Sequence, residues 1–338
     1  MAELTTSEGL PAGELRDAWE ELVEADPDAT VFHTPDYLQI WVAQLGGRVL
    51  PRVRAVREGG QLIGVVPEEL ARVPTPTGPT RVLRFLGGTE VTDYQGPVAR
   101  PEHRGAVVGA WMDALVEERD WDQIEAAGAA ADAGWPALIS EAAAERGLTA
   151  VDRVEDVCPR VSLAGGYEAY LDRLPGKQRH ELGRKARKLA RDAGEVRLVA
   201  VDPDRLQDGL DSFFALARDA EEDKARFFLD DRMRAYFGAL ADAFGGDGTF
   251  RLHELEVGGQ VAAATVSLVH GREWGVYNSA FDQVLRALAP GMVLIGELLR
   301  VAADEGCEVL DLLRGDEPYK YRFGAEDRTL RRVTITRS

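Results

Sequence analysis

Residues 251–269, RLHELEVGGQVAAATVSLV, decide the fold. Two runs rich in Leu, Val and Ala flank Gly258-Gly259. A Gly-Gly pair between apolar runs signals a tight hairpin, because both central residues of such a turn need positive φ. EWGVYNSA at 273–280 then reads as a third strand, Pro290 opens a helix through GMVLIGELLRVAADEG, and CEVLDLL at 307–313 reads as a short strand. Strand, helix and strand make a βαβ unit, whose strands lie parallel with a right-handed crossover. Three antiparallel strands followed by a parallel crossover describe a mixed α/β sheet.

The N-terminal half carries the same order. VLPRVRAVRE, Gly59-Gly60 and QLIGVVPEEL form a hairpin; a Pro/Thr loop, VPTPTGPT, leads to the strand RVLRFLG, a helix around 102–118 and the strand WDQIEAA. EGGQLIG at 58–64 matches VGGQVAA at 257–263. Gly-Gly-Gln turns are common, but the shared order of the next three elements predicts one fold used twice, with domains at 1–165 and 166–338. Upstream, Leu15, Trp19, Leu22 and Val23 recur at helical spacing within 11–25. A second helix follows Pro35 and stops at Gly46-Gly47, the expected punctuation.

The 338 residues carry a net charge of −18. That field disfavours a protein that coats DNA or anionic membrane over its whole surface, while leaving room for one local basic site. The opening MAELTTSEGLPAGEL has no cationic region and no apolar run, so no secretory signal is expected. Apolar stretches such as Val261–Val269 fall short of the ~20 residues of a membrane span. Cys158 and Cys307 form no CxxC, and His33, His103, His180, His253 and His270 show no ligand spacing. A disulfide scaffold or metal site is therefore not expected, and a reduced, cytoplasmic protein is. P-loop, nucleophile-elbow, zincin and dinucleotide motifs are all missing from the sequence.

Three segments concentrate chemistry. At Pro290 the missing N–H suits a first helical position, and Gly291 would let an anion approach the open helix end; plain helix initiation explains the same residues. The stretch 311–324 follows a short strand, where open α/β sheets place ligands. It supplies carboxylates (Asp316, Glu317), phenols (Tyr319, Tyr321) and cations (Arg314, Lys320, Arg322); the other reading is a charged surface turn. KQRHELGRKARKLAR at 177–191 holds seven Lys/Arg against one acid. Leu182, Ala186 and Leu189 share one helical face, and Lys177, Arg184, Lys188 and Arg191 the opposite one. That stripe is either a solvated face or a phosphate binder.

LLRGDEPYKYRFGA at 312–325 resembles the end of the CelD-like acetyltransferases, a branch of the GNAT superfamily. FHTPDYLQIWVAQLG at 32–46, LRFLGGTEVTDYQGP at 83–97 and the basic helix after LPGKQR resemble further segments of that branch. The resemblance implies two tandem GNAT-like acyltransferase domains. The Fem transferases, which use aminoacyl-tRNA, are similar: they carry Phe-Lys followed by Phe-Gly, where this chain has Tyr319-Lys320-Tyr321-Arg322-Phe323-Gly324. Their lysine serves the donor or the transition state, which implies that role for Lys320. The pyrophosphate loop departs from the common GNAT pattern, since 286–292 reads Arg-Ala-Leu-Ala-Pro-Gly-Met, with one glycine and a proline.

The resemblance implies an N-acetyltransferase using acetyl-CoA or another acyl-CoA, with no metal. Its pantetheine arm would enter where the strands part near Asn278 and Leu312, and its phosphates would meet Arg286, Pro290, Gly291 and Met292. An amine acceptor, a small molecule or a cell-envelope precursor, would enter between the domains. Asp93 and Tyr94 would line its wall, and Arg184, Lys188, Arg314 and Arg322 would hold its charges. Asp316 or Glu317 would take the proton, and Tyr319 or Tyr321 would protonate the leaving thiolate. Two alternatives stand beside it: a Fem-like transferase using aminoacyl-tRNA, and a catalytically silent GNAT-like binding protein in envelope or polysaccharide assembly.

Overall fold

The computed structural model describes residues 2–47, 49–76, 78–218 and 222–337. Two compact units emerge, one of residues 1–157 with 328–338 and one of residues 158–327. The boundary expected at 165/166 thus lies eight residues beyond the division at 157/158, and the last strand belongs with the first unit. That return of the chain has no signature in local sequence.

Unit 1 contains β1 (Glu3–Glu8), α1 (Glu14–Ala25), α2 (Pro35–Gln44), β2 (Pro51–Glu58), β3 (Gln61–Thr75), β4 (Gly78–Phe85), α3 (Arg104–Glu117), β5 (Gln123–Ala130), α4 (Trp135–Glu145) and most of β6 (Leu148–Ser162). Unit 2 follows with α5 (Gly166–Arg173), α6 (Gly176–Ala193), β7 (Val196–Ala200), α7 (Leu206–Arg218), α8 (Glu222–Leu229), α9 (Asp231–Phe244), β8 (Phe250–Val257), β9 (Gln260–His270), β10 (Glu273–Phe281), α10 (Pro290–Asp304) and β11 (Val309–Asp311). The last strand, β12 (Glu326–Arg337), pairs antiparallel with β5 in unit 1. No helix among the described residues is long and apolar enough to cross a membrane.

The duplication is visible residue by residue. β2–β3–β4 and β8–β9–β10 are antiparallel, and β4–β5 and β10–β11 are parallel. Glu58 pairs with Gln61 and Val257 with Gln260, each hairpin closing on two glycines of positive φ. Both carry a register shift at the same place, between Val56 and Arg57 and between Leu255 and Glu256. The order β1-α1-α2 before the first hairpin reappears as β7-α7-α9 before the second. Each unit therefore has a mixed α/β sheet of the same plan. β9 is buried along most of its length, as its nearly continuous apolar run requires of a strand covered on both faces.

One expectation fails. VPTPTGPT is strand at both ends, since Pro74 pairs with Pro79 and Thr75 with Gly78, with Thr77 outside the described residues. There β3 has passed its last pairing with β2 at Pro51–Glu69, and β4 has not yet met β5, which begins at Val82–Gln123. On such an outlying two-stranded ribbon a proline removes no second-neighbour hydrogen bond.

In unit 2 the core joins the sheet to α10. Trp274, Val276 and Leu310 pack with Ile295, Leu298, Leu299 and Phe323. A second cluster seats Leu189 of α6 on Leu255, Val257, Ala263 and Val293. The end of α6 touches the β8–β9 turn backbone to backbone, since a Cβ on Gly258 would stand 2.9 Å from the Ala193 carbonyl oxygen. Gly59, with the same φ of 56°, has open space around it. Replacing glycine by alanine at positive φ costs about 1–2 kcal/mol. Gly258→Ala should therefore destabilise clearly more than Gly59→Ala in urea melts, and equal losses would remove the α6 contact from the account.

Candidate functional site

The parallel pairing of β10 with β11 stops at Gly275–Asp311, while β10 runs on to Phe281. A bulge between Val276 and Asn278 bends β10 just there. On the other side, the Leu312 N–H donates to the Pro159 carbonyl, so the chain stays with β6 as it leaves β10. Asn278, half-buried, and Leu312, buried, flank this opening, and among the described residues no strand pairs with the β11 side of β10 beyond Gly275. The Asn278 side-chain amide makes no hydrogen bond among the described residues, although its carbonyl accepts from Thr265.

The segment after β11 is shaped from within. Leu313 has φ 55°, a left-handed conformation that a side chain disfavours. The Asp311 carboxylate holds it, accepting the Leu313 N–H at 2.7 Å and facing Arg160 Nε at 3.4 Å. Lys320 is 2 % exposed. Its ammonium donates to the carbonyls of Leu313, Arg314 and Gly315 at 2.9, 2.8 and 3.0 Å, and Glu317 Oε2 lies 2.9 Å away. An ammonium has three protons, and four acceptors already surround it. Lys320, for which the resemblance implies a role toward the donor or the transition state, is in this structure an internal clamp whose protons all meet protein oxygens. Phe323 anchors the segment in the core, and Gly324 ends it at φ 73°.

The remaining residues of the segment separate by commitment. Glu317 is spent on Lys320, while Asp316 is exposed and has no ion pair among the described residues. Tyr321 donates its hydroxyl to Asp327 at 2.8 Å, and that bond pushes its pKa up to about 12. The Tyr319 hydroxyl makes no hydrogen bond among the described residues; burial first, and the Glu317 carboxylate second, raise its pKa. Arg322 pairs with Glu181 of α6 at 3.2 Å. Arg314 is half-buried and gives its carbonyl to Lys320.

At the start of α10 the structure narrows the expected anion site. Ala289 precedes it at φ 55°. The Met292 and Val293 N–H groups both donate back to its carbonyl, and among the described residues the Gly291 N–H has no backbone acceptor. The space over Gly291 is closed on one side, because a Cβ there would lie 3.3 Å from the Phe281 ring. Its small size serves helix–strand packing. Pro290 is buried and Met292 packs on the core.

Charge at this end comes from α6 and the 283–288 turn. Gln178 of α6 donates to the Tyr321 carbonyl, and Lys188 Nζ approaches the Ala287 carbonyl at 3.4 Å. Ten residues of helix span about 15 Å, so α6 runs from the Lys320 turn to the turn before α10. Arg184, between them, is exposed and has no ion pair among the described residues, and Arg286 is exposed beside Ala287. In unit 1 the expected acceptor wall is core instead. Tyr94 is buried, with Phe32 on one side and the Arg328 guanidinium over its ring; Thr92 donates to Gly87, and Asp93 is half-buried. A hydrophilic Thr-Asp-Tyr triplet gives no hint of that burial. Sequence reading also misses Arg160 and the left-handed Ala289 and Leu313, since neither distant pairing nor backbone conformation shows in residue type.

Residues 176–321 match the family model described as an acetyltransferase (GNAT) domain. The fold is similar to that of the FemX crystal structure, with a TM-score of 0.65 at 12% identity over 97% of this chain and 96% of that one. It is also similar to a tandem GNAT protein from the clavulanic acid biosynthesis pathway, with a TM-score of 0.51 at 16% identity over 98% of both chains. A third likeness is to L-PGS from Bacillus licheniformis, with a TM-score of 0.53 at 10% identity over 93% of this chain and 92% of that one. No curated protein matches the sequence. The chain therefore has the tandem GNAT fold.

Lys320→Met would leave three carbonyls and Glu317 without their cation. Breaking such a buried group costs about 3 kcal/mol or more, so the thermal midpoint should fall by many degrees. A variant with an unchanged midpoint and slow turnover would instead put this ammonium on the substrate.

Proposed function

We propose that unit 2 is an acyltransferase site that takes its acyl group from an acyl-CoA, with acetyl-CoA the simplest donor, and delivers it to an amine. The parting of β10 and β11 after Gly275–Asp311 carries this reading. An exposed strand edge offers backbone N–H and C=O groups to an extended amide chain, which is what a pantetheine arm is. Arg184, Lys188 and Arg286 supply positive charge beside the α10 start, where the phosphates of such a donor would lie. The Gly291 N–H adds one donor to them. The thioester supplies an activated acyl carbon. Asp316, uncommitted in this structure, is the proposed proton acceptor for the attacking amine. Tyr319, a phenol and so protonated at neutral pH, is the proposed donor to the departing sulfur. Lys320 and Asp311 position that loop, and Arg314 and Arg322 frame it. The likeness of RGDEPYKYRFG to CelD-like enzymes supports the same reading.

A Fem-like transferase fed by aminoacyl-tRNA is the second reading, favoured by the basic stripe of α6 and the likeness to FemX. Thermal shift separates the two. CoA at a hundred times its dissociation constant adds about 2.7 kcal/mol to a protein that binds it only when folded. For a unit of this size that is a rise of roughly 5–10 °C. A flat response to millimolar CoA, alongside a response to aminoacyl-tRNA, would move the donor to tRNA. An Arg184→Ala/Lys188→Ala double variant should raise KM for the phosphorylated donor more than it lowers kcat, the pattern of lost uniform binding. Unchanged constants would return the stripe to a solvated face.

A further inference from the structure

Unit 1 has its own opening at the equivalent place, and its chemistry is different. Counting from the matched hairpins, Glu69 stands where unit 2 has Leu268, each eight residues after its turn glutamine (Gln61 and Gln260). Glu69 pairs with Arg84 and Arg84 with Glu125, just as Leu268 pairs with Gly275 and Gly275 with Asp311. In unit 2 this face is filled, because the side chain of Leu313 lies about 3.5 Å from where a Cβ on Gly275 would be. In unit 1 a cavity of about 160 Å³ lies there, lined by Glu69, Arg84, Thr89, Gln95, Glu125 and Arg332 among others. A water needs only ~10–15 Å³ by a comparable measure, so the space admits a small organic molecule.

The wall holds two carboxylates, Glu69 and Glu125, and two guanidiniums, Arg84 and Arg332, and they pair unevenly. Arg84 sits 3.1 Å from Glu125, and Arg332 reaches Glu125 at 3.8 Å and Glu155 at 2.7 Å. Both guanidiniums are drawn to Glu125, and Glu69 has no ion pair among the described residues. It is only 7 % exposed, and its Oε2 has no hydrogen-bond partner. Burial raises its pKa, which Arg84 across the strand only partly opposes. A buried carboxylate without donors is costly, and nearly all such groups in folded proteins have partners. Among the described residues no set of three His, Cys, Asp or Glu side chains is arranged to hold a metal ion.

From the unpartnered Glu69 and the cavity it lines, we infer that unit 1 binds a small primary amine, its ammonium donating to Glu69 Oε2 while Thr89 and Gln95 meet the rest of the molecule. The site is separate from the donor opening of unit 2. It makes the two copies of the fold different in kind, one with an open strand edge and one with a charged cavity.

The test uses the full chain with ethanolamine as probe and ethylene glycol as its uncharged counterpart, at constant ionic strength, read by isothermal titration and thermal shift. Ethanolamine should bind saturably, and ethylene glycol, NaCl and MgCl2 at matched ionic strength should not raise the midpoint. Glu69→Gln should fold, because it removes a buried charge that has no donor, and it should weaken ethanolamine at least tenfold. Should Glu69→Gln fail to fold, Glu69→Asp keeps the charge but withdraws it from the cavity, and the same tenfold loss is expected. No saturable response to ethanolamine, an equal response to ethylene glycol or the salts, or undiminished binding in the folded variant would each overturn the assignment. CoA binding in unit 2 is measured separately, so its failure and this one are distinguishable.

Discussion

A single buried ammonium shapes the end of unit 2's sheet. Lys320 gathers the carbonyls of Leu313, Arg314 and Gly315 and the carboxylate of Glu317. With those carbonyls fixed, the chain leaving β11 must turn at Leu313 in a left-handed conformation, which Asp311 secures from the other side. The turn carries the backbone toward β6 and away from β10, and the opening beside Asn278 follows. Strained backbone of this kind costs of order 1–3 kcal/mol and persists where its surroundings enforce it. Here they do so through charge-assisted hydrogen bonds, about twice as strong as neutral ones.

Much of this is legible in the sequence, and the remainder is not for definable reasons. A Gly-Gly pair alone is no proof of a hairpin, but Gly59-Gly60 and Gly258-Gly259 lie between apolar runs and so mark both turns, and local periodicity marks the βαβ order after each. The proline-rich ribbon at 73–80 escapes such a reading because its strands lie at an edge, where proline is tolerated. The return of β12 to unit 1 escapes it because pairing with β5 depends on residues some 200 positions away. In the site, the chemical character of 311–324 is evident, but residue type does not reveal commitment. Lys320 and Glu317 serve each other, Tyr321 serves Asp327, and Asp316 and Tyr319 remain. The most recognisable stretch of the chain is recognisable largely because it builds a loop.

The two units share one pairing lattice and differ at a few of its positions. The same pairing lattice holds Leu268, Gly275 and Asp311 in one and Glu69, Arg84 and Glu125 in the other. In the first, an apolar fill leaves the strand edge open to an extended ligand. In the second, charged residues line a polar cavity. The basic stripe of α6 belongs to unit 2 alone, and so does the helix start that it approaches.

Hydrogen–deuterium exchange with and without CoA tests the central claim most directly. The account predicts slowed exchange in peptides covering 276–281 and 286–294, with 78–85 of unit 1 unchanged. Protection that is absent from those unit 2 peptides, or that appears in 78–85 instead, would contradict it.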